Sequence, residues 1–183
     1  MFASASLGLL AREGDSPWKL AVTQLMLGLI PGVAALLLIR YMPPAWIPKV
    51  SPLIYILSIG LTLLVFVPGI GGTYNGATRW IDLGFTTVQP AELLKIGVIL
   101  MLAWYLSKMK GKLHDMRVGL IPFGLIVGIP SLMLLLQPNT STVMVMGLTA
   151  VALYVLAGAP WRDILLIVAG AVLVLVVLVM QRP

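Results

Sequence analysis

Between Pro68 and Gln89 the chain crowds Asn75, Arg79, Trp80 and Asp82 into eight residues, and Glu92 and Lys95 follow just downstream. Arginine presents a rigid fork of N–H donors that suits phosphate oxygens, and Trp80 beside it supplies a stiff amphipathic surface. Glycines at 69, 71, 72, 76 and 84 let the backbone turn sharply or approach a ligand closely. Taken singly, Trp80 fits an interfacial aromatic belt and Arg79 fits contact with lipid headgroups. Their crowding beside two further charges favours a binding site for a phosphate-bearing ligand.

Those charges open a helix. Pro90 suits a first helical position, where its missing N–H costs nothing, and Glu92 then falls in the first turn, which favours a carboxylate. Glu92 and Lys95 are three residues apart and so share a face. Two readings stand open: a buried tie that fixes two helices together, or a charged pair that takes part in binding.

The elements that must position these residues are membrane helices. Hydrophobic residues make up 60% of the 183 and charged ones only 10%, against roughly a quarter charged in soluble domains. A bilayer accepts such a composition directly. Apolar segments at 20–41, 50–68, 90–107, 117–136, 140–158 and 162–180 are each near the length of about 20 residues that a crossing helix needs. Residues 1–11 are about half that length, and the chain stops directly after the aliphatic run ending at Met180, so both ends read as truncations. The expected fold is all-α, a polytopic transmembrane bundle of six full spans plus the end of an earlier one. It forms a single, partial membrane domain over residues 1–183.

Lysines and arginines counted by loop set the orientation. Arg40, Lys49, Lys108, Lys110, Lys112, Arg117 and Arg162 fall on one side, taken as cytoplasmic; Arg12, Lys19, Arg79 and Arg182 fall on the other. This places the 69–89 loop outside. It also explains the net charge of +6 without a nucleic-acid partner. Cysteine is absent, which excludes disulfides and thiolate metal sites. Pro31, Pro122 and Pro130 are expected to kink spans whose neighbours satisfy the freed carbonyls. The pairs Gly28/Gly32 and Gly124/Gly128 have the spacing of close helix approach inside the chain. Met146 and Met144 fill core or face lipid, and His114 lies in a solvated loop.

The run Asn75-Gly-Ala-Thr-Arg79-Trp80-Ile-Asp82-Leu-Gly, followed by Gln89-Pro90-Ala-Glu92-Leu-Leu-Lys95, resembles the signature of the shape, elongation, division and sporulation family of FtsW, RodA and SpoVE. Ser4-Ala5-Ser6, Val67-Pro68-Gly69-Ile70-Gly71 and Leu136-Gln137-Pro138-Asn139 match in the same order, so the resemblance covers nearly the whole chain. It implies the end of helix 1 and all of helices 2 to 7 of a ten-helix bacterial inner-membrane protein. Such a protein polymerises lipid II, an undecaprenyl-pyrophosphate disaccharide-peptide, at the outer face. Its partner is a class B penicillin-binding transpeptidase.

By that resemblance Trp80 matches a tryptophan linked to activity, Arg79 becomes the nearest candidate for diphosphate contact, and Glu92 and Lys95 match a charged pair in the central cavity. Asn75, Asp82, Gln137 and Asn139 complete the implied substrate-binding set. The implied catalytic base is an aspartate in an outer loop after helix 7, beyond residue 183, so the chain alone is expected to be inactive. No cofactor is evident, although the resemblance allows a divalent cation. One departure stands out: the family has Gln-Pro-Asp where this chain has Gln137-Pro138-Asn139. Asparagine brings no negative charge, though its carbonyl still accepts hydrogen bonds. A lipid-linked precursor flippase and a noncatalytic scaffold for the transpeptidase are the competing readings. The Val67–Gly71 run leans towards division over elongation.

Overall fold

The computed structural model describes residues 25–68, 71–74, 77–82 and 87–180. The matches at Ser4-Ala5-Ser6, the bases Arg12, Lys19 and Arg182, and Asn75 lie outside the described residues. The chain falls into two compact units, Met1–Trp46 and Ile47–Pro183.

In the first unit a wide π-turn, Leu25–Leu29, leads into α1, Ile30–Tyr41. Pro31 sits in the first turn of α1. It has no N–H to give the carbonyl one turn back, so the helical ladder is irregular before it and regular after it. The kink expected here is thus a change of helix type. Arg40 lies in the last turn, where a cation meets the negative end of the helix dipole.

The second unit is a bundle of α2 (Ile47–Leu64), α3 (Pro90–Lys108), α4 (Leu120–Leu136), α5 (Thr140–Leu156) and α6 (Trp161–Met180). α3 is its axis: it packs on α2, α4 and α5 and on the strand Ala77–Asp82. Ala91, Leu94, Val98, Leu102 and Leu106 make one buried stripe along α3, at the three- and four-residue steps of a helix face. The buried side chains of α2 are Ser51, Ser58 and Thr62. Each hydroxyl donates back to a carbonyl of α2, on Ile47, Tyr55 and Ser58 respectively, so a polar face is buried without an orphaned donor.

Small hydroxyls let α3 come close. A Cβ on Gly97 would lie 2.5 Å from Ser58 Oγ and 3.2 Å from Tyr55 Cα. This is where the helices need a glycine. The spacing-based expectation for Gly124 and Gly128 fails, because a Cβ at either would meet nothing within 4 Å; Gly28 and Gly32 are likewise open within their own unit. Among the described residues those glycines face no packed neighbour, whereas Gly97 does.

Between α2 and α3 the all-helical pattern is interrupted by a small antiparallel sheet, β1 (Gly71–Tyr74), β2 (Ala77–Asp82) and β3 (Thr87–Val88), in that order. Gly71 pairs with Ile81 and Gly72 with Trp80, and the register shifts between Gly72 and Thr73. Ile81 pairs with Val88 and Asp82 with Thr87. Gly71 is required at its place, since a Cβ would collide with the Val65 carbonyl.

Polarity is inverted relative to a water-soluble fold. Thr62, Gln137, Asn139 and Asp163 are buried while Leu132, Leu148 and Leu156 are exposed, as expected where hydrocarbon is the solvent. Pro44–Leu64 (21 residues, mean hydropathy 1.7) and α3 (19 residues, 1.4) are long and apolar enough to cross a bilayer, and α1, α4 and α5 are shorter apolar helices.

Gly97→Ala should therefore lower thermal stability in detergent by about 1–3 kcal/mol, the usual cost of overpacking. Adding Ser58→Ala should recover part of that loss, and Gly124→Ala should change stability little. Equal melting temperatures for Gly97→Ala and Gly124→Ala would remove the close approach from the account.

Candidate substrate-binding site

The signature strand is fastened to the bundle by its arginine. Arg79 on β2 donates from Nε to the Gln137 carbonyl at 3.1 Å and from Nη2 to the Pro138 carbonyl. Both acceptors lie in the turn between α4 and α5, where the last carbonyls of a helix lack donors of their own. Gln137 passes the connection on: its Nε2 donates to Thr62 O at 3.2 Å, a carbonyl in the last turn of α2. β2, the α4–α5 turn and the end of α2 are thus joined by three hydrogen bonds that no hydrophobic pattern specifies.

Asn139 follows in the same turn and is 2% exposed. Its Oδ1 accepts from Thr142 Oγ1 at 2.8 Å, while its Nδ2 finds no hydrogen-bond partner among the described residues. The residue stands at the N-cap of α5, yet its side chain serves the Thr142 hydroxyl instead of a backbone N–H. Thr62 and Thr142 are partners that the sequence did not single out; a buried hydroxyl next to a helix end was their one available signal.

Glu92 and Lys95 form their ion pair, Oε2 to Nζ, at 2.9 Å. Glu92 is 59% exposed and Lys95 26%. Both belong to α3, so the pair does not tie two helices. Pro90 starts α3 and the Glu92 N–H returns to Gln89 O at 3.1 Å. β2 packs on α3, which puts Arg79 and the half-buried Trp80 at the end of the bundle where α3 begins. The backbone of Asp82 is in register with Thr87.

No group of three His, Asp or Glu side chains comes together among the described residues. Gln137 and Asn139 are neutral, and Glu92 is engaged by Lys95.

The sequence matches the model of the cell cycle protein family that groups FtsW, RodA and SpoVE over residues 1–183. The chain belongs to this family. It is 35% identical over 171 residues to a probable peptidoglycan glycosyltransferase FtsW of Alcanivorax borkumensis, covering 91% of this chain and 43% of that protein. It is 34% identical over 178 residues to the corresponding protein of Halothiobacillus neapolitanus, covering 97% and 42%. Among solved structures it resembles the rod shape determining protein RodA of Thermus thermophilus, with a TM-score of 0.68 and 29% identity over 90% of this chain and 53% of that one. A chain from a peptidoglycan synthase complex, described as coordinating polymerization and crosslinking, matches with a TM-score of 0.71 and 29% identity over 99% and 52%. The chain spans about half the length of the relatives it matches. Like RodA, this FtsW/RodA/SpoVE family member is a polytopic helical membrane protein.

Gln137→Ala should cost about 1–3 kcal/mol of stability, the penalty for a buried carbonyl that loses its donor. Gln137→Glu should cost more, because an ionised carboxylate only accepts hydrogen bonds and would face the Thr62 carbonyl. Thermal melts of both variants check the order; a Gln137→Glu variant as stable as the parent would contradict the bond.

Proposed function

We propose that this chain builds part of the substrate cavity of a peptidoglycan glycosyltransferase. The protein polymerises lipid II at the outer face of the bacterial inner membrane, beside a class B penicillin-binding transpeptidase, in division or elongation. The chain contributes the end of helix 1 and helices 2 to 7 of a ten-helix fold. What carries the reading is the fastening of the signature strand by Arg79 to the α4–α5 turn, at the end of α3 that bears the exposed Glu92–Lys95 pair. Family membership supports it.

Glycan extension needs a base for the acceptor hydroxyl and positive charge for the departing pyrophosphate. Lys95 and Arg79 are the cations at this mouth. Two N–H groups of Arg79 are committed to carbonyls, so the arginine is a positioned donor fork, held before substrate arrives. Lys95 shares its charge with Glu92, whose carboxylate is displaced from it as the diphosphate binds. Trp80 offers its face to the sugar or to the lipid linkage. Gln137 and Asn139 keep the turn in place, and Asp82 ends the same strand as Arg79. The base is not assigned among these residues, and the 183 residues by themselves do not polymerise.

The test uses the full-length protein that contains this chain, purified with its transpeptidase and given lipid II in detergent. Glycan strands should form, and Trp80→Ala and Lys95→Ala should each slow their formation at least tenfold while leaving the complex intact. Lipid II transport without polymerisation would replace the reading with the flippase, and an intact complex that makes no glycan would replace it with the scaffold. Normal rates in both variants would remove the mouth from the substrate site.

A further inference from the structure

The opposite end of the bundle carries a second constellation, independent of glycosyl transfer. α3 ends at Lys108, and the loop to α4 adds Lys110, Lys112 and Arg117, all exposed. Arg162 at the start of α6 is also exposed. Of these cations only Arg162 has an acid beside it among the described residues, Asp163. Asp163 is fully buried; it accepts from Tyr154 Oη at 3.0 Å and meets Arg162 Nε at 3.2 Å. Asp115 turns Oδ1 to the backbone N–H of Arg117 at 2.9 Å. Lys110, Lys112 and the Arg117 guanidinium have no acidic partner among the described residues.

A basic loop is what the positive-inside bias alone would produce. This loop is also folded. Leu113 is 2% exposed and anchors it in the core. Tyr105 Oη donates to Val118 O at 2.8 Å. Backbone bonds from Lys112, Asp115, Val118 and Gly119 close successive turns. Gly119 lies so close to Tyr154 that a Cβ there would sit 2.6 Å from its hydroxyl, which joins the loop to the Tyr154–Asp163–Arg162 network. The backbone that carries the cations is therefore fixed. At the same end of the bundle, Leu156 at the end of α5 is 83% and Trp161 at the start of α6 74% exposed, and an amphipathic ring suits the boundary of headgroups and acyl chains.

We infer that this end of the bundle is a binding site for an anionic phospholipid, its headgroup phosphodiester held by Lys110, Lys112 and Arg117 and its acyl chains lying along Leu156 and Trp161. The exposed apolar belt is what selects a lipid over a free phosphate or an acidic protein segment.

The full-length protein in micelles containing equal phosphatidylglycerol and phosphatidylcholine should retain the anionic lipid at least tenfold over the zwitterionic one, read by native mass spectrometry. K110Q/K112Q/R117Q should abolish that preference, since each cation near an anionic surface is worth about fivefold. K110R/K112R/R117K, with its charge kept, should preserve it, and melting temperatures check that both variants fold. Equal retention of the two lipids, or an unchanged preference in the glutamine variant, would overturn the site. So would full displacement of the lipid by equimolar inorganic phosphate, or a glutamine variant that keeps its lipid and loses a bound acidic protein instead.

Discussion

Two carbonyl oxygens at the α4–α5 turn hold the Arg79 guanidinium, and the shape of the candidate site depends on that hold. A helix end buried away from water must find its hydrogen-bond partners within the protein. The chain meets the requirement with side chains that cross between elements. Arg79 caps the end of α4, and Gln137 caps the end of α2. The most polar segment of the chain is thereby fixed against its most central helix, α3, whose packing with α2 depends on Gly97 meeting Ser58.

The same logic governs the far end. Asp163, fully buried, would be costly as an isolated charge, but one oxygen accepts from Tyr154 and the other faces Arg162. Tyr154 in turn stacks near Phe123, with ring centroids 4.7 Å apart, so α4, α5 and α6 converge on one phenol. Each end of the bundle is thus closed by a short polar network, and the stretch between them is closed by aliphatic packing along Leu94, Val98 and Leu102.

What could be read from the residues follows from which interactions leave a periodic trace. The apolar runs at 90–107 and 140–158 became α3 and α5 almost to the residue, because helix length and hydropathy are both fixed by the bilayer. Glu92 and Lys95 were legible from their spacing, and the pair forms. The sheet at 71–88 was not, because its strands are short, rich in glycine, and paired with one another instead of with a hydrophobic face. Arg79 stood out as a cation, but its partners are backbone carbonyls, which every residue carries and no sequence pattern marks. The glycine pairs misled for the complementary reason: spacing says that a close approach is allowed, and only a facing neighbour, which Gly97 has and Gly128 lacks, makes it occur. Asp163 announced itself only as an acid at the head of an apolar span.

The chain shares its family with proteins about twice its length. Asn139 gives this member a neutral, buried amide in the α4–α5 turn, its Nδ2 without a hydrogen-bond partner among the described residues. Hydrogen exchange on the full-length protein tests the central claim most directly. If Arg79 fastens the sheet to the bundle, Arg79→Ala will speed exchange of the backbone amides over residues 77–82 and 139–143 together, while those over 113–121 at the other end keep their protection. Unchanged exchange at 139–143 would show that the turn stands without the arginine and would contradict the account.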